Sequence, residues 1–245
     1  MESSSKLIGL FCFALQALAL IIFSAGFFQF RPENLSHLHK ADNQTATVPP
    51  SYDRLVFILI DALRADFVYG TESGFDFVRR CLREWPFNSK AFIARARAPT
   101  VTMPRLKALT AGSPPVFLDL VLNFDESSLA GKESNRCGEA GFTQETWIKG
   151  FYEAGKKVVF YGDDTWLRLF PGCFTEQHGV SSFFVQDYTG VDNQVTERAV
   201  PKLTESNWDV LILHYLGLDH IGHIDGARRF DLIRIKIRLI DFVAN

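Results

Sequence analysis

An α/β domain with a mainly parallel sheet, set behind one apolar segment of membrane length, is the architecture this sequence predicts. Three observations predict it. Leu7 to Phe28 is apolar and carries no charge. Three short apolar runs further on, Leu55–Ile60, Lys157–Tyr161 and Asp209–Tyr215, have the continuous hydrophobicity of strands buried on both faces of a parallel sheet. Helical stretches fall between them, notably Pro104–Ala111 and Trp147–Ala154, and strands alternating with helices are the mark of an α/β domain.

Taken in chain order, residues 1–6 form a short N-terminus and 7–28 the anchor. The apolar stretch has the roughly 20 residues a spanning helix needs. A cleaved signal peptide competes, but its apolar region normally runs about 7–15 residues, so length favours a retained anchor. Lys6 and Arg31 bracket the span, one basic residue on each side, and set no orientation. Residues 29–51 are polar, end in Val-Pro-Pro-Ser and read as a linker. They hold two glycosylation sequons, at Asn34 and Asn43, which favour a lumenal domain.

The domain proper spans 52–226. Each of its three apolar runs ends in a turn with an acidic residue: Asp61, Asp163 and Asp219. Ligands of open α/β sheets bind outside the carboxyl ends of the strands, so these carboxylates are expected to converge on one rim. Singly, each is equally a turn or capping Asp. Residues 125–145 are polar and Gly-rich and read as a surface loop or insertion. Residues 227–245 alternate apolar and basic residues and form a divergent tail.

Composition narrows the function. Hydrophobic residues make up 47% and charged residues 22%, so the chain is not a disordered polymer. A net charge of −2 with no long basic run argues against a nucleic-acid partner. The four cysteines, Cys12, Cys81, Cys137 and Cys173, show no CxxC pairing and do not read as a zinc site. The last three leave room for one disulfide, whose pairing the sequence does not fix.

Two motifs carry chemistry. In Ala98-Pro-Thr-Val-Thr-Met-Pro-Arg105, Pro104 suits the first turn of a helix and puts Thr102 at its start. Backbone N–H groups there favour an anion, and a metal-ionised hydroxyl attacks phosphorus; the alternative is a capping Thr. In Gly217-Leu-Asp-His-Ile-Gly-His223, Asp219 and His223 are spaced to reach one cation. Carboxylate with imidazole suits zinc, or manganese with more oxygen ligands, and His220 is a further substrate or outer-sphere candidate. Asp61 supplies a carboxylate for a second cation. Arg64 in the same turn either binds a phosphate oxygen or pairs with Asp66 on the surface.

Four segments together resemble the glycosylphosphatidylinositol (GPI) ethanolamine phosphate transferases. They are Val56-Phe-Ile-Leu-Ile-Asp-Ala-Leu-Arg-Ala-Asp-Phe67, Pro99-Thr-Val-Thr-Met-Pro-Arg105, Phe160-Tyr-Gly-Asp-Asp-Thr-Trp166 and Leu213-His-Tyr-Leu-Gly-Leu-Asp-His-Ile-Gly-His223. The resemblance covers about Tyr52 to Ile224 and the N-terminal span. It implies an alkaline-phosphatase-like lumenal domain in the endoplasmic reticulum membrane. It implies two divalent cations, with Thr102 as nucleophile, Asp61 and Thr102 at one cation and Asp219 and His223 at the other. Phosphoethanolamine would move from phosphatidylethanolamine to a mannose, the second, of the GPI precursor lipid. A multispanning membrane subunit is an expected partner.

The family continues with an Asp-His-Gly-Met segment, a further His and many spans. No Asp-His-Gly occurs in this sequence, so the expectation is a C-terminally truncated form that is inactive or nearly so alone. Two other functions stay open: a phosphodiesterase of the same superfamily, and a fragment that binds or regulates. A sulfatase is disfavoured, because Thr102 stands where that class uses Cys or Ser.

Overall fold

The computed structural model describes residues 2–27, 51–71, 73–96, 98, 100–113, 136–138, 144–181 and 187–226. They fall into two compact units: Met1–Thr45 with Arg97–Ser128, and Ala46–Ala96 with Leu129–Asn245. Both sequons, Asn34 and Asn43, the linker, the tail and most of the 125–145 loop lie outside the described residues.

In order along the chain, the elements are α1 (Glu2–Phe27), β1 (Leu55–Ile60), α2 (Ala65–Tyr69), α3 (Asp76–Glu84), α4 (Thr102–Ala111) and α5 (Trp147–Glu153). They continue with β2 (Val158–Asp163), α6 (Thr165–Leu169), β3 (Glu176–Val180), α7 (Gly190–Thr204), β4 (Val210–Tyr215) and α8 (Gly217–Asp225).

The first unit holds α1 and α4. α1 is long and apolar enough over Lys6–Gly26 to cross a membrane, and the Leu, Ile and Phe side chains of that span are exposed. Length and composition alone do not separate this from a signal sequence. α4 begins at Thr102, as the position of Pro104 requires, and ends at Gly112, whose φ of +67° makes the left-handed turn that closes the last carbonyls.

The second unit is a four-stranded sheet in the order β1-β4-β2-β3, and every pair is parallel. β1 runs in register with β4 from Leu55↔Val210 to Ile60↔Tyr215, and Asp61 N donates to Tyr215 O to extend the ladder by one bond. β2 and β4 are central and buried at every residue, which explains their unbroken apolar sequence. β3, Glu-Gln-His-Gly-Val, was not among the expected strands. It is an outer strand whose exposed first residues are the polar Glu176 and Gln177, so it carries no apolar run to read, whereas β1, the other outer strand, is apolar throughout.

The period of two sorts the core. Val159 and Tyr161 of β2 and Leu211, Leu213 and Tyr215 of β4 face α7, packing on Val195, Ala199 and Trp208. Phe160 turns the other way, onto Trp166 of α6 and Phe174, and Phe57 of β1 meets Trp147 of α5. The sheet is thus covered on both faces. A smaller cluster of Phe67, Phe75, Leu218 and Ile221 seats α8 over α2 and α3.

Candidate active site

All three acidic turns lie at the carboxyl end of the sheet, on the three neighbouring strands β1, β4 and β2. Parallel pairing makes this unavoidable: each strand ends at the same edge, and the next residue starts the return helix. Asp61 follows β1, Asp163 closes β2, and Asp219 sits in the first turn of α8, just after β4.

The other two carboxylates are felt at Asp219. Burial pushes the Asp219 carboxyl above its usual range, the negative charges of Asp61 and Asp163 push it further, and His223 and His220 oppose the rise. His223 Nε2 stands 3.3 Å from Asp219 Oδ2, one helical turn along α8, as the spacing predicts. Burial also raises Asp163, against hydrogen bonds that its Oδ1 accepts from Thr165 N (2.9 Å) and Thr165 Oγ1 (2.8 Å). Asp163 therefore does the work of a helix-capping residue while lying on the rim.

Asp61 has a donor hydrogen-bonded to one oxygen and an imidazole near the other. Its Oδ1 accepts a 2.9 Å hydrogen bond from Ala62 N. Ala62 is, among the described residues, the one non-glycine with positive φ, at +56°, a conformation that costs about 1 kcal/mol or more. On the other side, Nε2 of His214 lies 3.8 Å from Asp61 Oδ2. His214 belongs to β4 and is fully buried, and burial lowers its pKa to about 4, a fall that the Asp61 charge partly opposes. It is therefore a neutral imidazole at physiological pH. Its Nδ1 accepts from Trp166 Nε1 at 3.0 Å.

The remaining candidates are placed as follows. Arg64 pairs with Asp66 through both Nε (2.9 Å) and Nη2 (2.8 Å), the surface pairing that was one of its two readings. That pair holds the Asp66 carboxyl below its usual range. His220 is buried with its Nδ1 3.1 Å from Asp187 O. Thr102 is the first residue of α4, in the other unit.

Asp192 is a residue the sequence did not flag. Wholly buried in the first turn of α7, it accepts through Oδ1 from Leu216 N (3.0 Å) and Gly217 N (2.9 Å). It thereby fixes the turn that launches α8 and places Asp219. His214 was within a quoted motif but given no role. The readable signal was a lone imidazole inside an otherwise apolar central strand, which must find a partner there.

The donor types fit divalent cations: a carboxylate at Asp61, and a second at Asp219 with the His223 imidazole beside it. Among the described residues, however, no three such donors gather at one point. The set is therefore partial, with Asp61 on one side and Asp219 with His223 on the other.

Cys137 and Cys173 form a disulfide with Cα atoms 4.4 Å apart, which settles the pairing left open by the sequence; Cys12 and Cys81 are thiols.

Fold and site together define a parallel α/β chain with an acidic rim at the carboxyl edge of its sheet. Sequence relatives narrow the class. The chain is 44% identical over 237 residues to GPI ethanolamine phosphate transferase 2 of Schizosaccharomyces pombe, covering 94% of this chain and 29% of the relative. It is 44% identical over 211 residues to the protein of that name from Aspergillus fumigatus, covering 86% and 26%. It is 39% identical over 253 residues to the human GPI ethanolamine phosphate transferase 2, catalytic subunit, covering 95% and 24%. The chain is thus related over most of its length to GPI ethanolamine phosphate transferase 2 proteins, and it spans about a quarter of the length of these curated relatives. No family model matches it.

Proposed function

We propose that this chain carries the nucleophile and part of the cation-binding rim of a GPI ethanolamine phosphate transferase with an alkaline-phosphatase-like catalytic domain. The relatives that cover most of this chain support the activity. The observation that carries the site is the convergence of Asp61 and Asp219 on the rim beside His223.

The reaction runs as a double displacement. Thr102 Oγ attacks the phosphorus of phosphatidylethanolamine and forms a P–O bond. The bond to the glycerol oxygen breaks, and diacylglycerol leaves with the proton. A hydroxyl of a mannose, the second, of the GPI precursor then attacks the same phosphorus. The bond to Thr102 breaks, and the mannose proton returns to its oxygen. Thr102 begins α4, and in this reading the backbone N–H groups of that helix start would stabilise the phosphoryl oxygens. Two divalent cations, zinc or manganese, held by Asp61 with Thr102 and by Asp219 with His223, would neutralise the developing charge and acidify the Thr102 hydroxyl. Arg64, Asp163 and His220 line or support the substrate path in this reading. The lipid substrates place the reaction at the endoplasmic reticulum membrane, with α1 as anchor. The Cys137–Cys173 disulfide and the sequons at Asn34 and Asn43 support a lumenal face.

A second reading, a binding or regulatory fragment, draws on the partial donor set. One exchange experiment separates the two. This chain's residues 52–226 replace the matching segment of the Schizosaccharomyces pombe relative in cells lacking their own copy. Phosphoethanolamine addition to the GPI precursor is expected to return, and to be lost in Thr102→Ala. Equal rescue by Thr102→Ala would discard the transferase reading. Release of free phosphoethanolamine without a mannose acceptor would point to a phosphodiesterase.

A further inference from the structure

The interior of the second unit holds a side chain that neither the motifs nor the proposed reaction employs. His214 has no solvent contact, and its Nε2 makes no hydrogen bond. A buried N–H left without a partner costs about 1–3 kcal/mol, so a persistent one calls for an account. Its surroundings give one.

Trp166 fixes the ring. The indole Nε1–H only donates, so the nitrogen it faces, His214 Nδ1 at 3.0 Å, must be the lone-pair nitrogen. The proton is then on Nε2, and Nε2 points at Asp61 Oδ2, 3.8 Å away. That separation is too long for a hydrogen bond and leaves the imidazole facing the carboxylate. The other oxygen of Asp61 already accepts from Ala62 N at 2.9 Å, through a residue in a strained left-handed conformation. One oxygen of Asp61 is therefore held by Ala62 N, and the other is faced by the Nε2–H of His214.

Gly162 shows that this proximity is built into the backbone. A Cβ on Gly162 would lie 2.6 Å from His214 Cβ and 2.8 Å from its N, so only a residue without a side chain lets β2 pass His214 this closely. Gly162 is followed by Asp163, and Trp166 stands in the helix that begins right after β2. One segment, Gly162–Trp166, thus supplies the space for the imidazole and the donor that sets its tautomer.

We infer that His214, locked by Trp166, is a positioning residue that presents an Nε2–H donor to Asp61 and fixes the direction of that carboxylate on the rim. The inference rests on the reading of Asp61 as a working carboxylate of the site, and it adds a device acting through Asp61. A carboxylate that could swing would face a cation or a substrate charge with either oxygen. One bonded by Ala62 N and faced by the Nε2–H of His214 favours one orientation.

The test uses the whole chain in detergent, with histidine ring nitrogens labelled with 15N. His214 is assigned by its contact with the Trp166 indole proton. The expected wild-type spectrum has an unprotonated Nδ1 and a protonated Nε2. Asp61→Ala should shift the Nε2 signal, and Trp166→Phe should bring in the other tautomer. A protonated Nδ1 in the wild type, or an Nε2 signal indifferent to Asp61→Ala, overturns the inference, and the first of these needs no variant to fold.

A second arm measures zinc binding by calorimetry. Removing a group that orients a ligand typically weakens a metal about 10–100-fold. His214→Leu should show a loss of that size, and His214→Gln, which keeps a donor near the Nε2 position, should stay within about threefold of wild type. Equal loss in both variants would overturn the positioning role. If the wild-type chain takes up no zinc, the cation part of the proposed function falls, and the nitrogen signals alone decide the role of His214.

Discussion

His214 is where the chemistry depends most on packing. In an unfolded chain its pKa is about 6.5, and in the folded chain it is about 4. Between those values the unfolded chain binds a proton that the folded chain does not. Stability is therefore predicted to fall as pH drops from about 6.5 to about 4, by on the order of 3 kcal/mol, with no contribution from this group above that window. Urea unfolding of the full chain in detergent at pH 7.5 and pH 5 measures it. His214→Leu should flatten the difference, and an unchanged pH dependence in that variant would refute the assignment. At Gly162 the prediction is steric. Gly162→Ala puts a methyl inside the backbone of β4 at a φ of +149° and should cost about 2–4 kcal/mol by the same unfolding measurement. A loss below about 0.5 kcal/mol would mean that the strands part easily there.

At the scale of elements, the turn from β4 into α8 is held by one buried carboxylate. Asp192→Ala strips the acceptor from Leu216 N and Gly217 N and is expected to cost about 2–4 kcal/mol. Amide exchange at Gly217–Asp219 should quicken more than exchange in β2, and uniform quickening would speak against a local role. The same contrast explains what could be read beforehand. β1, β2 and β4 were legible because central or apolar-faced parallel strands must be hydrophobic throughout. Their acidic ends were legible because parallel strands finish at one edge. β3 and α7 were not: β3 is outer and polar, and the weakly patterned α7 begins with Gly190 and includes Pro201. The tautomer of His214 and the capping by Asp192 join residues far apart in sequence, 48 and about 25 positions respectively, so no local pattern announces them.

For the whole molecule, the Cys137–Cys173 bridge closes a loop of 36 residues that includes α5, β2 and α6. Loop-closure entropy puts its contribution at about 3–4 kcal/mol. Replacing both cysteines with serine should lower the urea midpoint accordingly and make the chain insensitive to dithiothreitol. A midpoint that does not move would show that the packing of Phe160, Trp166 and Phe170 is sufficient alone. The central claim concerns Thr102, at the start of α4, and the acceptance of phosphoethanolamine there. Its most direct test incubates the exchanged protein with phosphatidylethanolamine but no GPI acceptor, followed by acid quenching and mass spectrometry of the Thr102 peptide. The account predicts phosphoethanolamine on Thr102, cleared when the mannose acceptor is added and absent in Thr102→Ala. Transfer that proceeds with an unmodified Thr102, or equally well in Thr102→Ala, would contradict it.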